Sequence, residues 1–229
     1  MNDDLMNFDD VEFASNPDDR CAVSIIIDES GSMGVEREGH GVPIEELNNS
    51  LDLLVSSLHS DPLSRRRCEI SFCTYSTEVN NLTDFKTVDN LVLPTLQANG
   101  LTSSGKAINT ALDKLEERKK SYRENGISTY RSIVLFLTDG VQTDDVSDAA
   151  KRLAELESRK SIVFFPVGIS GYDPEGLKQI CPPGKEPLGL NGLKFDELFQ
   201  WLSSSIASVS SSQIGDKVSL PSPAGWMEM

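Results

Sequence analysis

Ala22-Val23-Ser24-Ile25-Ile26-Ile27 runs straight into Asp28-Glu29-Ser30-Gly31-Ser32. The first six residues are rich in β-branched side chains and short enough for a strand buried on both faces. A second apolar run, Ser132-Ile133-Val134-Leu135-Phe136-Leu137, ends the same way, in Thr138-Asp139-Gly140. An aspartate leaving such a strand cannot sit in hydrocarbon without compensation, because desolvating its charge is expensive. Either one alone could simply cap the turn or helix that follows. Two of them, with Ser30 and Ser32, converging at one sheet edge would repel or raise a pKa unless a cation lay between them.

Outward from these two strands, apolar runs alternate with helical patterns. Ile44, Leu47, Leu51, Leu54, Val55 and Leu58 recur at helical spacing, with Asp61-Pro62 as a stop. Glu69 to Tyr75 alternates like a half-buried strand, and the polar stretch from Glu78 to Phe85 reads as an edge strand. A helix is expected over about 104–123, another near 146–158, and a strand at Ile162–Val167. Phe195, Leu198, Phe199, Leu202, Ile206 and Val209 trace the face of a last helix, whose serine-rich distal half is expected to fray. The fold class is therefore α/β: a doubly wound, mainly parallel central sheet with helices on both faces and one antiparallel edge strand. Such sheets place ligands beyond the carboxyl ends of their strands.

With 229 residues, one full domain with short extensions is expected. Residues 1–20 carry seven acids against Arg20 and read as an acidic N-terminal arm, part of which Leu5, Met6, Phe8, Val11 and Phe13 could dock. Residues 21–212 form the domain, and 213–229, with Pro221-Ser222-Pro223, read as a short C-terminal tail. A net charge of −15 argues against nucleic acid and anionic lipid as partners. No stretch has the roughly 18 consecutive apolar residues of a membrane span, and the acidic N-terminus lacks signal-peptide features. Cys21, Cys68, Cys73 and Cys181 form no dense framework, which fits reduced thiols in a cytoplasmic protein.

The spacing Asp28-x-Ser30-x-Ser32 lets alternate side chains of a loop face one point, with Gly31 permitting the turn. One carboxylate and two hydroxyls are hard donors, which favour Mg²⁺, Mn²⁺ or Ca²⁺ over zinc or copper. There is no CxxC pair, and only His40 and His59 could supplement the thiols, so a zinc centre of the cysteine type is not expected.

Asp28-Glu29-Ser30-Gly31-Ser32, Gly100-Leu101-Thr102 and Thr138-Asp139-Gly140 together resemble the three-part metal-ion-dependent adhesion site (MIDAS) of von Willebrand factor A domains. The resemblance spans about residues 20–212. It implies Asp28, Ser30, Ser32, Thr102 and Asp139 as the metal site, one or more of them through water, with Mg²⁺ or Mn²⁺ bound. It also implies a non-catalytic role in which an Asp or Glu of a partner protein completes the coordination. Leu193 to Ile206 is similar to the end of the small intracellular TerY-type bacterial members linked to tellurium resistance and stress cassettes. That likeness implies kinase- or phosphatase-like partners.

Other chemistries fit less well. Gly100 to Ala107 nearly spells a phosphate-binding loop, but the hydroxyl needed after Lys106 is replaced by Ala107. A haloacid-dehalogenase-type phosphatase with Asp28 as nucleophile needs a second aspartate where Ser30 stands, and an unassisted serine is a poor acid. A serine hydrolase would need a GxSxG elbow around Ser30, which is missing.

Overall fold

The expected alternation is present along residues 13–228, which the computed structural model describes. In chain order, β1 (Cys21–Asp28) leads to α1 (Pro43–Ser60) and α2 (Pro62–Arg67), then to β2 (Cys68–Tyr75), β3 (Val79–Leu82) and β4 (Lys86–Thr87). There follow α3 (Ser104–Glu124), β5 (Ser132–Thr138), α4 (Ser147–Ser158), β6 (Ile162–Gly168), α5 (Pro174–Lys178), β7 (Leu188–Gly189) and α6 (Phe195–Ser210). The sheet order is β3-β2-β1-β5-β6-β7, with β4 also on β2. All pairings are parallel except those of β3 and β4 with β2. The antiparallel edge is thus two short segments rather than one strand.

The chain winds from β1 to β2 on one side and returns to place β5 on the other. Between β1 and β5 the order reverses, which opens a crevice at their carboxyl ends. Register sets Ile27 opposite Leu137, so Asp28 and Asp139 leave the sheet from neighbouring strands at nearly the same height.

Alternate residues of β1 face opposite layers. Val23, Ile25 and Ile27 pack with Leu47, Leu51 and Leu54 of α1 and with Leu198, Leu202 and Ile206 of α6. Ala22 and Ile26 pack with Ile108, Ala111 and Leu115 of α3 and Leu153 of α4. Helices on both faces follow from this division.

Three expectations need correction. β2 is buried along its whole length rather than on one face. Its Glu69 can be buried because Arg20 Nε, Arg118 Nε and the Tyr122 hydroxyl bond to it at 2.8, 2.7 and 2.6 Å. The distal half of α6 is not frayed. The hydroxyls of Ser203 and Ser205 donate to the carbonyls four residues back, and the Ser210 carbonyl accepts from Arg67 Nη1 at 2.7 Å.

The stretch read as a tail folds back on the domain: Trp226 is 1% exposed, and Met227 bridges to Leu190. Of the residues thought able to dock the arm, Phe13 is buried beside Tyr122. Leu5, Met6, Phe8 and Val11 lie outside the described residues.

Candidate metal centre

Three loops meet at the β1–β5 crevice. Asp28 is the last residue of β1 and fully buried; its Oδ1 accepts from the Ser30 amide at 2.7 Å and its Oδ2 from the Thr138 hydroxyl at 2.5 Å. The loop then makes a 3-10 turn, Gly31–Gly34, that presents Ser30 and Ser32 together, with hydroxyls 3.0 Å apart. Ser32 Oγ donates to Asp139 Oδ1 at 2.6 Å, a bond between residues 107 positions apart.

The Thr102 loop joins through backbone contacts. Gly31 N donates to Gly100 O at 3.0 Å. Gly100 has φ +72°, and a β-carbon there would lie 2.7 Å from Thr77 Oγ1, so glycine is required twice over. On the other side, a β-carbon at Gly140 would meet Thr102 Oγ1 at 2.7 Å and Asp28 Oδ2 at 3.5 Å. The glycine of Thr138-Asp139-Gly140 therefore lets the Thr102 hydroxyl approach both carboxylate loops. Thr102 N and O are held by Thr143 Oγ1 and Thr143 N at 3.2 and 2.9 Å.

All five residues expected from the sequence, Asp28, Ser30, Ser32, Thr102 and Asp139, thus lie in one cluster. Four residues were not anticipated as participants. Thr138 and Gly140 flank Asp139 in the quoted motif, and their roles follow from the end of β5. Thr143 is adjacent to the acidic turn that leads to α4. Arg37 has no motif at all: its Nη2 donates to Asp139 Oδ2 in a close ion pair and to Ser32 O at 3.4 Å.

Glu29, the residue between the donors, points away from them. Its carboxylate accepts from Asn80 Nδ2 at 2.7 Å and Gln97 N at 3.1 Å, tying the approach to the Thr102 loop.

Burial dominates the electrostatics of both carboxylates. Burial pushes Asp28 up to about 7, against the lowering effect of the Thr138 and Ser30 bonds. Burial also raises Asp139, with Ser32 and Arg37 opposing. Two desolvated carboxylates and three hydroxyls form an all-oxygen set, which fits a hard divalent ion. Among the described residues there is no group of three or more His, Cys, Asp or Glu able to hold a metal, so hydroxyls are indispensable to this set.

The rival chemistries lose ground on geometry. Where a phosphatase would need a carboxylic acid, Ser30 faces Ser32. Lys106 pairs with Glu78 on the surface rather than facing a phosphate cradle. Asp144 caps α3, accepting from Gly105 N and Lys106 N at 3.1 and 2.9 Å, while Asp145 accepts from Ser147 N at the start of α4. Asp144→Ala should therefore cost about 1 kcal/mol in urea unfolding. A change below about 0.3 kcal/mol would show the cap to be immaterial.

The von Willebrand factor type A domain model matches residues 23–198. The chain belongs to the von Willebrand factor type A domain family. Solved structures of similar fold include proximal thread matrix protein 1 from the mussel byssus, with a zinc-occupied MIDAS motif. It is 17% identical at a TM-score of 0.52, over 83% of this chain and 48% of that one. The pilus adhesin SpaC of Lactobacillus rhamnosus GG is 11% identical at TM-score 0.64, over 83% of this chain and 31% of that one. The ArnB paralog VWA2 of Sulfolobus acidocaldarius is 18% identical at TM-score 0.50, over 82% and 45%. This chain spans less than half the length of each of these A-domain structures. No curated protein matches it. No helix among the described residues is long and apolar enough to cross a membrane.

Proposed function

We propose that this A domain is a non-catalytic module that binds a divalent ion and, through it, an acidic side chain of a partner protein. Asp28, Ser30, Ser32, Thr102 and Asp139 would hold the ion, some through water. Mg²⁺ or Mn²⁺ suits the oxygen set best. A bound ion supplies Lewis acidity to a carboxylate arriving from outside, and the chain's own residues do the positioning. Asp28 is fixed by Ser30 N and Thr138, and Asp139 by Ser32.

The observation that carries this reading is the 2.6 Å bond from Ser32 to Asp139, which closes two distant loops on one oxygen-lined point. The rim supports docking rather than turnover. Each of the three loops exposes one aliphatic side chain: Val35 at 54%, Leu101 at 58% and Val141 at 60%. Apolar groups around a charged centre exclude water and strengthen the contact they surround. In a finer reading, supported by the TerY-like closing segment, the module would serve a cytoplasmic bacterial stress or tellurium-resistance system with kinase- or phosphatase-like partners.

The test is partner capture from native lysate in Mg²⁺ and in EDTA, beside titration of the purified chain with Mg²⁺, Mn²⁺ and Zn²⁺. Asp139→Ala is expected to lower Mn²⁺ affinity at least tenfold, roughly the loss of 1.4 kcal/mol or more, and to abolish EDTA-sensitive capture. Capture by the variant equal to wild type and indifferent to EDTA would defeat the proposal.

A further inference from the structure

Among the described residues one basic side chain, Arg37, forms an ion pair with a MIDAS carboxylate. Its guanidinium reaches in from the loop after the 3-10 turn, pairs through Nη2 with Asp139 Oδ2, and makes a longer contact with Ser32 O. Both acceptors belong to residues assigned to the ion. The Asp139 side chain is fully buried, while Arg37 remains 23% exposed, so the guanidinium closes the crevice from the solvent side.

We propose that Arg37 is a built-in counter-cation: it neutralises Asp139 in the ion-free protein and opposes entry of the divalent ion, setting the affinity of the site. The inference rests on the metal-binding reading above and adds a residue to it. Three features support it. First, a monovalent cation on Asp139 and a divalent ion beside the same carboxylate repel each other, and weakly screened surroundings enlarge that repulsion. Second, the guanidinium is held imperfectly, because its Nε is buried with no hydrogen-bond partner among the described residues. A buried unsatisfied donor carries a free-energy cost that withdrawal to water would relieve.

Third, the backbone is built to let the side chain leave without unfolding the loop. Arg37 N donates to Gly41 O at 2.7 Å, and its carbonyl accepts from His40 N at 2.9 Å and Gly41 N at 3.2 Å. This small turn anchors the main chain of the loop on either side of the side chain. Outside the crevice stand Glu36 and Glu38, both exposed, so a withdrawn guanidinium would enter water flanked by carboxylates. No other Lys or Arg among the described residues forms an ion pair with Asp28 or Asp139.

Calorimetric titration of the full chain with Mg²⁺ and with Mn²⁺ tests this directly. Arg37→Gln removes the charge and keeps polar bulk, and it should bind either ion more tightly by on the order of tenfold. Arg37→Lys keeps the charge and should stay near wild type. Hydrogen exchange at the His40 and Gly41 amides in wild type, with and without Mg²⁺, reports whether the turn stays closed. Protection is expected to persist, since only the side chain withdraws. Equal affinities in wild type and Arg37→Gln, or weaker binding by the glutamine variant, would overturn the inference while leaving the metal site intact. Absence of binding in wild type and both variants would instead defeat the metal-binding reading itself.

Discussion

Asp28→Asn is expected to raise the melting temperature of the metal-free protein at pH 8 and to erase the further rise that Mg²⁺ gives the wild type. Asp28 is buried, forms no ion pair with a cation among the described residues, and is pushed by that burial from 3.8 up to about 7. Its folded form therefore prefers the proton more than the unfolded chain does. A raised carboxylate contributes stability that is present at low pH and lost as pH rises, here between about 4 and 7. Above that window the metal-free domain carries the full cost, of order 4 kcal/mol. Asparagine stays neutral and can still accept from Ser30 N while its amide donates to the Thr138 hydroxyl. The gain should be on the order of 10 °C for a chain of this size.

Mg²⁺ acts with the opposite sign. It requires deprotonated ligands, so its stabilisation of wild type should grow as pH rises through neutrality and vanish in the variant. Melting curves at pH 5 and pH 8, with EDTA and with excess Mg²⁺, measure all of this. A variant no more stable than wild type at pH 8 in EDTA would sink the claim, as would an undiminished Mg²⁺ response.

The second large effect lies at the other end of the sheet. Glu69, at the start of β2, is fully buried and holds Arg20, Arg118 and Tyr122. Phe13 lies under both guanidinium groups, 5.6 Å from Arg20 and 4.8 Å from Arg118. Removing one partner of such a cluster leaves buried charge uncompensated, which costs about 3–5 kcal/mol. Glu69→Gln should lower unfolding stability by that amount in a denaturant titration. It should leave Mg²⁺ affinity unchanged, because β1 and β2 run in parallel and the metal edge is at their far ends. A loss under 1 kcal/mol, or a shifted Mg²⁺ affinity, would refute the assignment of this cluster to stability alone.

These two sites differ in how far a reader of the sequence could reach them. The metal edge was legible because strand exit and ligand type coincide: Ile27-Asp28 and Leu137-Thr138-Asp139 mark strand ends, and the x-spaced serines mark a convergent loop. Thr102 was not readable from spacing and entered only through the resemblance. Arg37 left no signal, because a base between Glu36 and Glu38 looks like an ordinary solvated loop. The Glu69 cluster was misread as the polar face of a half-exposed strand. Its partners come from the segment before β1 and from α3, and no local period links them. The faces of the long helices were legible, with starts at Ser104, Ser147 and Phe195 close to those expected, whereas the short α2 and α5 carry too few turns for apolar periodicity to outline. The end of α6 was not, because a serine run is a weak helix former until its hydroxyls and final carbonyl find partners.

Those partners have a mechanical meaning. Trp201, in the first half of α6, donates Nε1–H to Pro221 O at 2.9 Å and stacks edge-on with Trp226 at 5.3 Å. At its far end, Arg67 and Tyr130 hold the carbonyls of Ser210 and Ser212. A rod pinned at two points along its length cannot travel lengthwise without pulling out both pins. Lengthwise travel of α6 is thereby coupled to the segment around Trp226 and to Arg67 and Tyr130, which would have to give way together.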